Sequence, residues 1–269
     1  MEEKKEFEYT LGIFDVICRA IRKKVQEGAR KESSYGLGVY TDEFCENELL
    51  TLPMKNFEER KKIAQSFEGI DFVFKVDTKD TKRIEELAEE AYNEYKEKKR
   101  LEEKDKDYKV GFVIGSFDVL HAGHIENLTL AKKKCEKLVV ILKTDERISK
   151  NKHKLPKQSF VERKAILSCI GIIDRIICMD IDTNRRDIIS DILEAYENIK
   201  EEDIVAIFGS DLQEKEQKYI DTDWRGISVM FTDRDPEKMK IVSSSNYQKI
   251  CDENGGIEEL VRKEESYII

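Results

Sequence analysis

No Cys-x-x-Cys pair, no apolar run of membrane-spanning length and no excess of positive charge occur in this chain of 269 residues. Six cysteines are present, Cys18, Cys45, Cys135, Cys169, Cys178 and Cys251, and several fall inside apolar stretches. They read as reduced core thiols, the usage of a cytoplasmic protein. The charged start, Met1-Glu2-Glu3-Lys4-Lys5-Glu6, and the missing apolar run predict neither a signal peptide nor a membrane anchor, and no membrane partner. Charge is abundant but mixed, 39% of residues for a net −9. A general nucleic-acid binder needs a basic face, so no nucleic-acid partner is expected, although a local basic pocket is compatible with this balance. With 39% apolar residues, the length suffices for two α/β domains, each with its own core.

Histidine is also scarce, and its distribution is informative. Two of the three histidines lie in Gly115-Ser116-Phe117-Asp118-Val119-Leu120-His121-Ala122-Gly123-His124, directly after the apolar stretch Val110 to Ile114. That stretch suits a buried parallel strand, and Gly115 lets the backbone turn sharply at its end. From Ile125 through Leu128, Leu130 and Ala131 the spacing is helical, so free amides and a positive dipole end point back at the turn. Gly123 leaves room for a nucleotide over the first helical turn. His121 and His124 can offer ring N–H groups to phosphoryl oxygens and stabilise charge on a leaving pyrophosphate. Two histidines at this spacing are also compatible with zinc, but no nearby Cys, Asp or third His offers itself as an obvious further ligand, and no metal site is predicted.

Gly-x-Phe-Asp-x-x-His-x-Gly-His resembles the first motif of the His-x-Gly-His nucleotidyltransferase superfamily, and in particular of the cytidylyltransferases of the glycerol-3-phosphate and phosphoethanolamine type. The resemblance continues in Thr144-Asp145-Glu146 after the run Leu138 to Leu142, in Lys150, Lys152 and Lys154, and in Glu162-Arg163-Lys164. It ends with Gly209-Ser210-Asp211 after the strand-like Ile204 to Phe208, and with Ile241-Val242-Ser243-Ser244-Ser245. It implies catalytic roles for His121, His124, Lys152 and Lys154, the lysines lying in a flexible loop as mobile point charges. It implies nucleotide binding by Gly115, Ser116, Phe117, Asp118, Gly123, Arg163, Gly209, Asp211, Ser243, Ser244 and Ser245, the serines opening a helix that holds the triphosphate tail. Two positions depart from the family. Gly171-Ile172-Ile173-Asp174-Arg175 lacks an expected nucleotide-contacting arginine, and Thr232-Asp233-Arg234-Asp235-Pro236 replaces an Arg-Thr before the serines.

The implied reaction joins CTP and a phosphorylated small alcohol, such as glycerol 3-phosphate, phosphoethanolamine or phosphocholine, to give a CDP-alcohol and pyrophosphate. Mg²⁺ is expected with the nucleoside triphosphate. The alternative is an ATP-using adenylyltransferase acting on a sugar phosphate, because the motif and the Ser-Ser-Ser-Asn run equally resemble heptose 1-phosphate adenylyltransferases. A reading from another class is a non-catalytic nucleotide-binding regulator.

The N-terminal part repeats the pattern. Asp15 and Asp118, Asp42 and Asp145, and Arg60 and Arg163 each stand 103 residues apart, as do Pro53 and Pro156. An ungapped offset over such a span predicts a tandem duplication. In the first copy Cys18 and Ile21 replace the histidines, Ala20 replaces Gly123, and Asn47-Glu48-Leu49-Leu50-Thr51 replaces the lysine loop. No counterpart of the Gly-Ser-Asp tip or the serine run is present. A two-copy plan resembles that of phosphoethanolamine cytidylyltransferases, where the first copy is the active one. The expected fold is therefore α/β, with two tandem Rossmann-like parallel-sheet nucleotidyltransferase domains, the first degenerate and truncated. The expected bounds are 1–105, including a connector helix, and 106–269 for the catalytic domain, packed as an intramolecular pseudo-dimer. Residues 81–107 read as an apolar-striped helix followed by a solvated connector. Asn254-Gly255-Gly256 reads as a helix stop before a terminal helix in 257–269.

Overall fold

The computed structural model describes residues 7–28, 30, 33–98, 107–232 and 244–266. The chain is α/β, with two parallel sheets. The first runs β1 (Phe7–Gly12), β2 (Ser34–Tyr40), β3 (Phe72–Val76) in spatial order β1-β2-β3. The second contains β4 (Tyr108–Gly115), β5 (Cys135–Lys143), β6 (Arg175–Met179), β7 (Ile204–Gly209) and β8 (Ser228–Thr232), in order β6-β5-β4-β7-β8. Val, Ile and Leu fill both faces of β4, β5 and β7, as a sheet covered by helices on both sides requires. The chain leaves β4 toward β5 on one side and later fills β7 on the other. The C-terminal end of β4 is therefore the topological switch point, where open α/β sheets form their ligand crevice.

The two sheets keep one register. Phe7 pairs with Ser34 and Val110 with Lys137; Gly12 pairs with Val39 and Gly115 with Leu142; Tyr40 pairs with Val76 and Lys143 with Met179. Each correspondence is a shift of 103 residues. Among the described residues the first half carries three strands where the second carries five.

Between the sheet strands lie α1 (Arg19–Gly28), α2 (Asp42–Glu48), α3 (Phe57–Gln65) and α4 (Thr81–Lys98) in the first half, and α5 (Ala122–Lys132), α6 (Asp145–Lys152), α7 (Phe160–Leu167) and α8 (Arg185–Ala195) in the second. The helix starts are chemically determined. Thr41 and Thr144 cap α2 and α6, and Asn56–Glu59 and Ser159–Glu162 form capping boxes on α3 and α7. The apolar stripe of α4 packs as expected, with Ile84 and Ala88 buried against β3; the connector after it lies mostly outside the described residues. Two further helices, Ser244–Glu253 and Ile257–Glu265, close the described chain. Gly255 and Gly256, both at positive φ, separate them at the expected stop.

One apolar core runs through both halves, joining Ile21, Val25, Leu37, Ile63 and Phe67 to Leu120, Ile125, Leu128, Leu138 and Ile170. Phe67 and Ile170 form an antiparallel bridge. Glu68 N–H donates to Cys169 O at 2.6 Å, and Gly171 N–H to Ser66 O at 2.8 Å. The two donors, Glu68 and Gly171, stand 103 residues apart, as do the two acceptors, Ser66 and Cys169, so each bond is the other with the halves exchanged and a local two-fold axis passes between them. Among the described residues no helix is long and apolar enough to cross a membrane.

Candidate active site

The motif turn sits at the end of β4. Phe117 adopts a left-handed φ of 49° and Val119 one of 53°, unusual for non-glycine residues and especially for a β-branched one. The Phe117 ring folds back over Gly115, where an added Cβ would lie 2.5 Å from it, so only glycine fits. α5 then starts at Ala122, as the motif requires, with His121 as its N-cap residue in extended conformation. The two rings meet: His121 stacks on His124 with centroids 3.7 Å apart, and Phe117 approaches His124 at 5.1 Å. His121 is 3% exposed, while His124 and Gly115 are only half-buried.

Two residues expected to touch the nucleotide are placed otherwise. Asp118 is buried, and its carboxylate accepts from Lys157 N at 2.9 Å, Gln158 N at 3.0 Å and Gln248 Nε2 at 2.6 Å. It fastens the segment after α6 to the motif turn. Arg163 is 0% exposed, and donates to Gln158 O at 3.0 Å, Ser116 O at 2.5 Å, Lys143 O at 2.9 Å and Asp145 Oδ1 at 2.7 Å. A guanidinium with these acceptors is a staple beneath the turn, not a phosphate ligand. The first half repeats both devices. Asp15 accepts from Met54 N and Lys55 N, and Arg60 donates to Lys55 O, Ile13 O, Tyr40 O and Asp42 Oδ1.

The lysine segment is also more ordered than its composition suggests. Acidic residues in the first turn of α6 and lysines in the last complement the helix dipole, so Lys152 ends the helix and left-handed His153 terminates it. Lys154 Nζ donates to Gln248 Oε1 at 2.6 Å. Partial burial, with Lys154 nearby, lowers the Lys152 pKa. Gly209 ends β7 and Asp211 lies in the one-turn segment after it; the Asp211 side chain is outside the described residues. Ser243 is outside them too. The backbone of Ser244 and Ser245 opens the Ser244–Glu253 helix, as expected of a serine run at a helix start.

A cavity of about 350 Å³ lies at the C-terminal ends of the strands and holds four cationic side chains that motif reading did not single out, Lys143, Arg147, Arg185 and Lys215. Burial, then the neighbouring cations Lys215, Lys152 and Arg147, push the Lys143 pKa down to about 8. Arg185 lies 3.5 Å from the Tyr219 ring centroid and pairs with Glu216 and Asp223 at 3.2 Å. Arg147 donates to Ile181 O at 3.1 Å and Thr183 O at 2.9 Å. Through Arg163, which bonds both Ser116 O and Lys143 O, this cavity is one guanidinium's width from the motif turn. The available sequence signal was position: Lys143 is the last residue of β5. Among the described residues no group of three or more His, Cys, Asp or Glu side chains could hold a metal ion.

Comparison with known proteins gives a match of residues 112–250 to a family described as cytidylyltransferase-like. Among curated relatives, a bifunctional protein HldE from Caulobacter vibrioides is 41% identical over 76 residues, 28% of this chain and 16% of that protein. Another from Campylobacter concisus is 34% identical over 129 residues, 48% of this chain and 24% of that protein. The chain thus spans a quarter or less of the length of these relatives. Among solved structures, a lipopolysaccharide core biosynthesis protein from Thermoplasma volcanium GSS1 is 25% identical, with TM-score 0.32, over 48% of this chain and 99% of that one.

Proposed function

Since the chain belongs to the cytidylyltransferase-like family and is a nucleotidyltransferase, we propose that its second half catalyses in-line nucleotidyl transfer between a nucleoside triphosphate and a phosphorylated small molecule. The observation that carries this reading is the stacked His121–His124 pair at the start of α5, facing the Gly115–Val119 turn at the switch point of the sheet. An acceptor phosphate oxygen attacks the α phosphorus. One P–O bond forms, the α–β bridging P–O bond breaks, and pyrophosphate leaves with the electron pair. The nucleophile arrives ionised, so no covalent enzyme intermediate and no general base are needed. The work of the site is alignment and charge neutralisation.

In this reading His121 and His124 donate to the phosphates, Lys152 and Lys154 bridge the two anions, and the amides opening the Ser244–Glu253 helix face the triphosphate tail. Lys143 and Lys215 in the cavity suit the acceptor phosphate by their charge and their place at the strand ends, while Arg185 is held by Glu216 and Asp223. Mg²⁺ enters as the counter-ion of the triphosphate, part of the substrate. Residues 1–105 and 106–269 are read as two copies of one ancestral unit, on the strength of the 103-residue repeat in register and hydrogen bonding, working in the cytoplasm.

CTP with a phosphorylated alcohol is the first reading, supported by the cytidylyltransferase-like family that residues 112–250 match. The sequence alternative, ATP with a sugar phosphate, is the second reading, because the same motif and serine run resemble heptose 1-phosphate adenylyltransferases equally. Pyrophosphate release with ATP and CTP, measured over a panel of sugar phosphates and phosphorylated alcohols, separates them. His121→Ala and His124→Ala should each lower kcat about 100-fold or more. Near-normal turnover in either variant refutes the assignment, and nucleotide binding without turnover against any acceptor would make the protein a regulator.

A further inference from the structure

The first half has lost both histidines but has kept the turn. Phe14 holds a left-handed φ of 61°, as Phe117 does at 49°, and Asp15 braces it from below as Asp118 does. The amides of this turn converge on a carboxyl group supplied by the chain itself. Phe14 N–H donates to Glu264 Oε1 at 2.6 Å, Asp15 N–H to Oε2 at 2.9 Å and Val16 N–H to Oε2 at 3.3 Å. Glu264 is 3% exposed and arrives on the Ile257–Glu265 helix. In the second half the counterpart of the last of these amides, Val119 N–H, donates to a neutral acceptor, Gln158 Oε1, at 3.2 Å.

A second contact crosses between the halves at the active site. The Tyr247 hydroxyl donates to Glu59 Oε1 on α3, and Lys55 Nζ lies 5.0 Å from the Tyr247 ring centroid. Burial, reinforced by Glu59, raises the Tyr247 pKa, so this hydroxyl remains a donor. The same ring stacks against His121, with centroids 5.4 Å apart and planes at 28°. The next residue, Gln248, donates to Asp118 and accepts from Lys154, both at 2.6 Å. One helical turn therefore touches a histidine, a brace and a lysine of the active half while it is tethered to the inactive half.

We infer that the first half is a positioning device for the second: its phosphate-type turn holds Glu264 in place of a nucleotide, and with the Glu59–Tyr247 bond it fixes the Ser244–Glu253 helix against His121, Asp118 and Lys154. Tyr247 and Glu264 are positioning residues. The kinetic part rests on the nucleotidyltransferase reading; the structural part does not.

Both parts are tested in the full chain with Glu264→Ala and Tyr247→Phe. Amide hydrogen exchange across residues 244–265 should accelerate about tenfold in each variant, the scale of one lost hydrogen bond to a charged group, while β4 and β5 keep their protection. The nucleotide KM should rise by a similar factor with kcat changed much less, because the Tyr247→Phe ring still covers His121. Calorimetry on the unaltered protein should find one nucleotide per chain. Unchanged exchange in the 244–265 segment, or a second nucleotide bound per chain, overturns the inference. Should Glu264→Ala fail to fold, Tyr247→Phe, which removes one oxygen, decides alone. Absence of turnover with every substrate would refute the catalytic reading and leave the exchange result standing.

Discussion

Replacing Arg163 by alanine separates a structural staple from a phosphate ligand. The guanidinium is fully buried, and its removal strands three backbone carbonyls, Gln158 O, Ser116 O and Lys143 O, along with Asp145 Oδ1. Asp145 is about one-third exposed and recovers water, so its share of the loss is small. The buried Gln158 carbonyl and the part-buried Ser116 and Lys143 carbonyls cost about 1 kcal/mol each, and the lost packing adds to this, giving a total of about 4 kcal/mol. For a chain of this size that is a fall in Tm of about 10 °C. Arg60→Ala is the internal control: Arg60 makes the matching bonds in the half without histidines, and should cost about the same. Urea unfolding monitored by circular dichroism measures both losses, and nucleotide calorimetry at a temperature where the variant is folded measures the other quantity. If Arg163→Ala destabilises by less than about 1 kcal/mol while nucleotide affinity collapses, the guanidinium serves the ligand and the reasoning from its carbonyl partners is wrong.

Two pH dependences follow from buried groups. Lys143, whose pKa is pushed down to about 8 by burial and by Lys215, Lys152 and Arg147, loses its charge above that value; affinity for inorganic phosphate, measured by calorimetry, should fall as pH rises through about 8, and Lys143→Met should flatten the profile. Burial first, and then Asp15, push the Glu264 pKa up from 4.5 to about 7 against three amide donors, with Cys18 and Cys45 also facing it. The folded form therefore binds the proton more tightly than the unfolded chain. This contribution, on the order of 3 kcal/mol, is complete below about pH 4.5 and lost as pH rises through about 7. Amide exchange of the Ile257–Glu265 helix should quicken over that window in the unaltered protein and not in Glu264→Gln; a flat profile in the unaltered protein refutes the sign.

Much of the architecture was legible because it rests on residues with distinctive letters. Gly115, the apolar runs at Val110 and Leu138, and the caps Thr144 and Ser159 locate β4, β5, α6 and α7 without reference to anything distant. The 103-residue offset was legible for the same reason, since Asp15, Asp42 and Arg60 in the first half match Asp118, Asp145 and Arg163 in the second. The roles of Asp118 and Arg163 were not legible. A motif shows which residues recur but not which atoms they touch, and the partners here are mostly backbone amides and carbonyls, which no sequence letter marks. The cationic cavity escaped for a different reason. Lys143, Arg147, Arg185 and Lys215 are scattered over some 70 positions of a lysine- and arginine-rich chain, and only the shared end of the sheet brings them together.

Glu264 is the sharpest case. In Arg262-Lys263-Glu264-Glu265 it looks like any solvated helix face, and nothing local distinguishes it from Glu265, which is exposed. Its burial is decided about 250 residues earlier, by a turn whose left-handed Phe14 and convergent amides are unfavourable unless an acceptor meets them. When such a turn no longer has the histidines to hold a nucleotide, two outcomes are open to it. The backbone can relax and lose the convergence, or an internal acceptor can meet the amides. The positive φ of Phe14 and the Asp15 brace show that the backbone keeps the turn, and the acceptor its amides need is supplied within the chain. A carboxyl group on the helix after Ser244–Glu253 satisfies the turn and, by the same bonds, ties the end of the second half to the first.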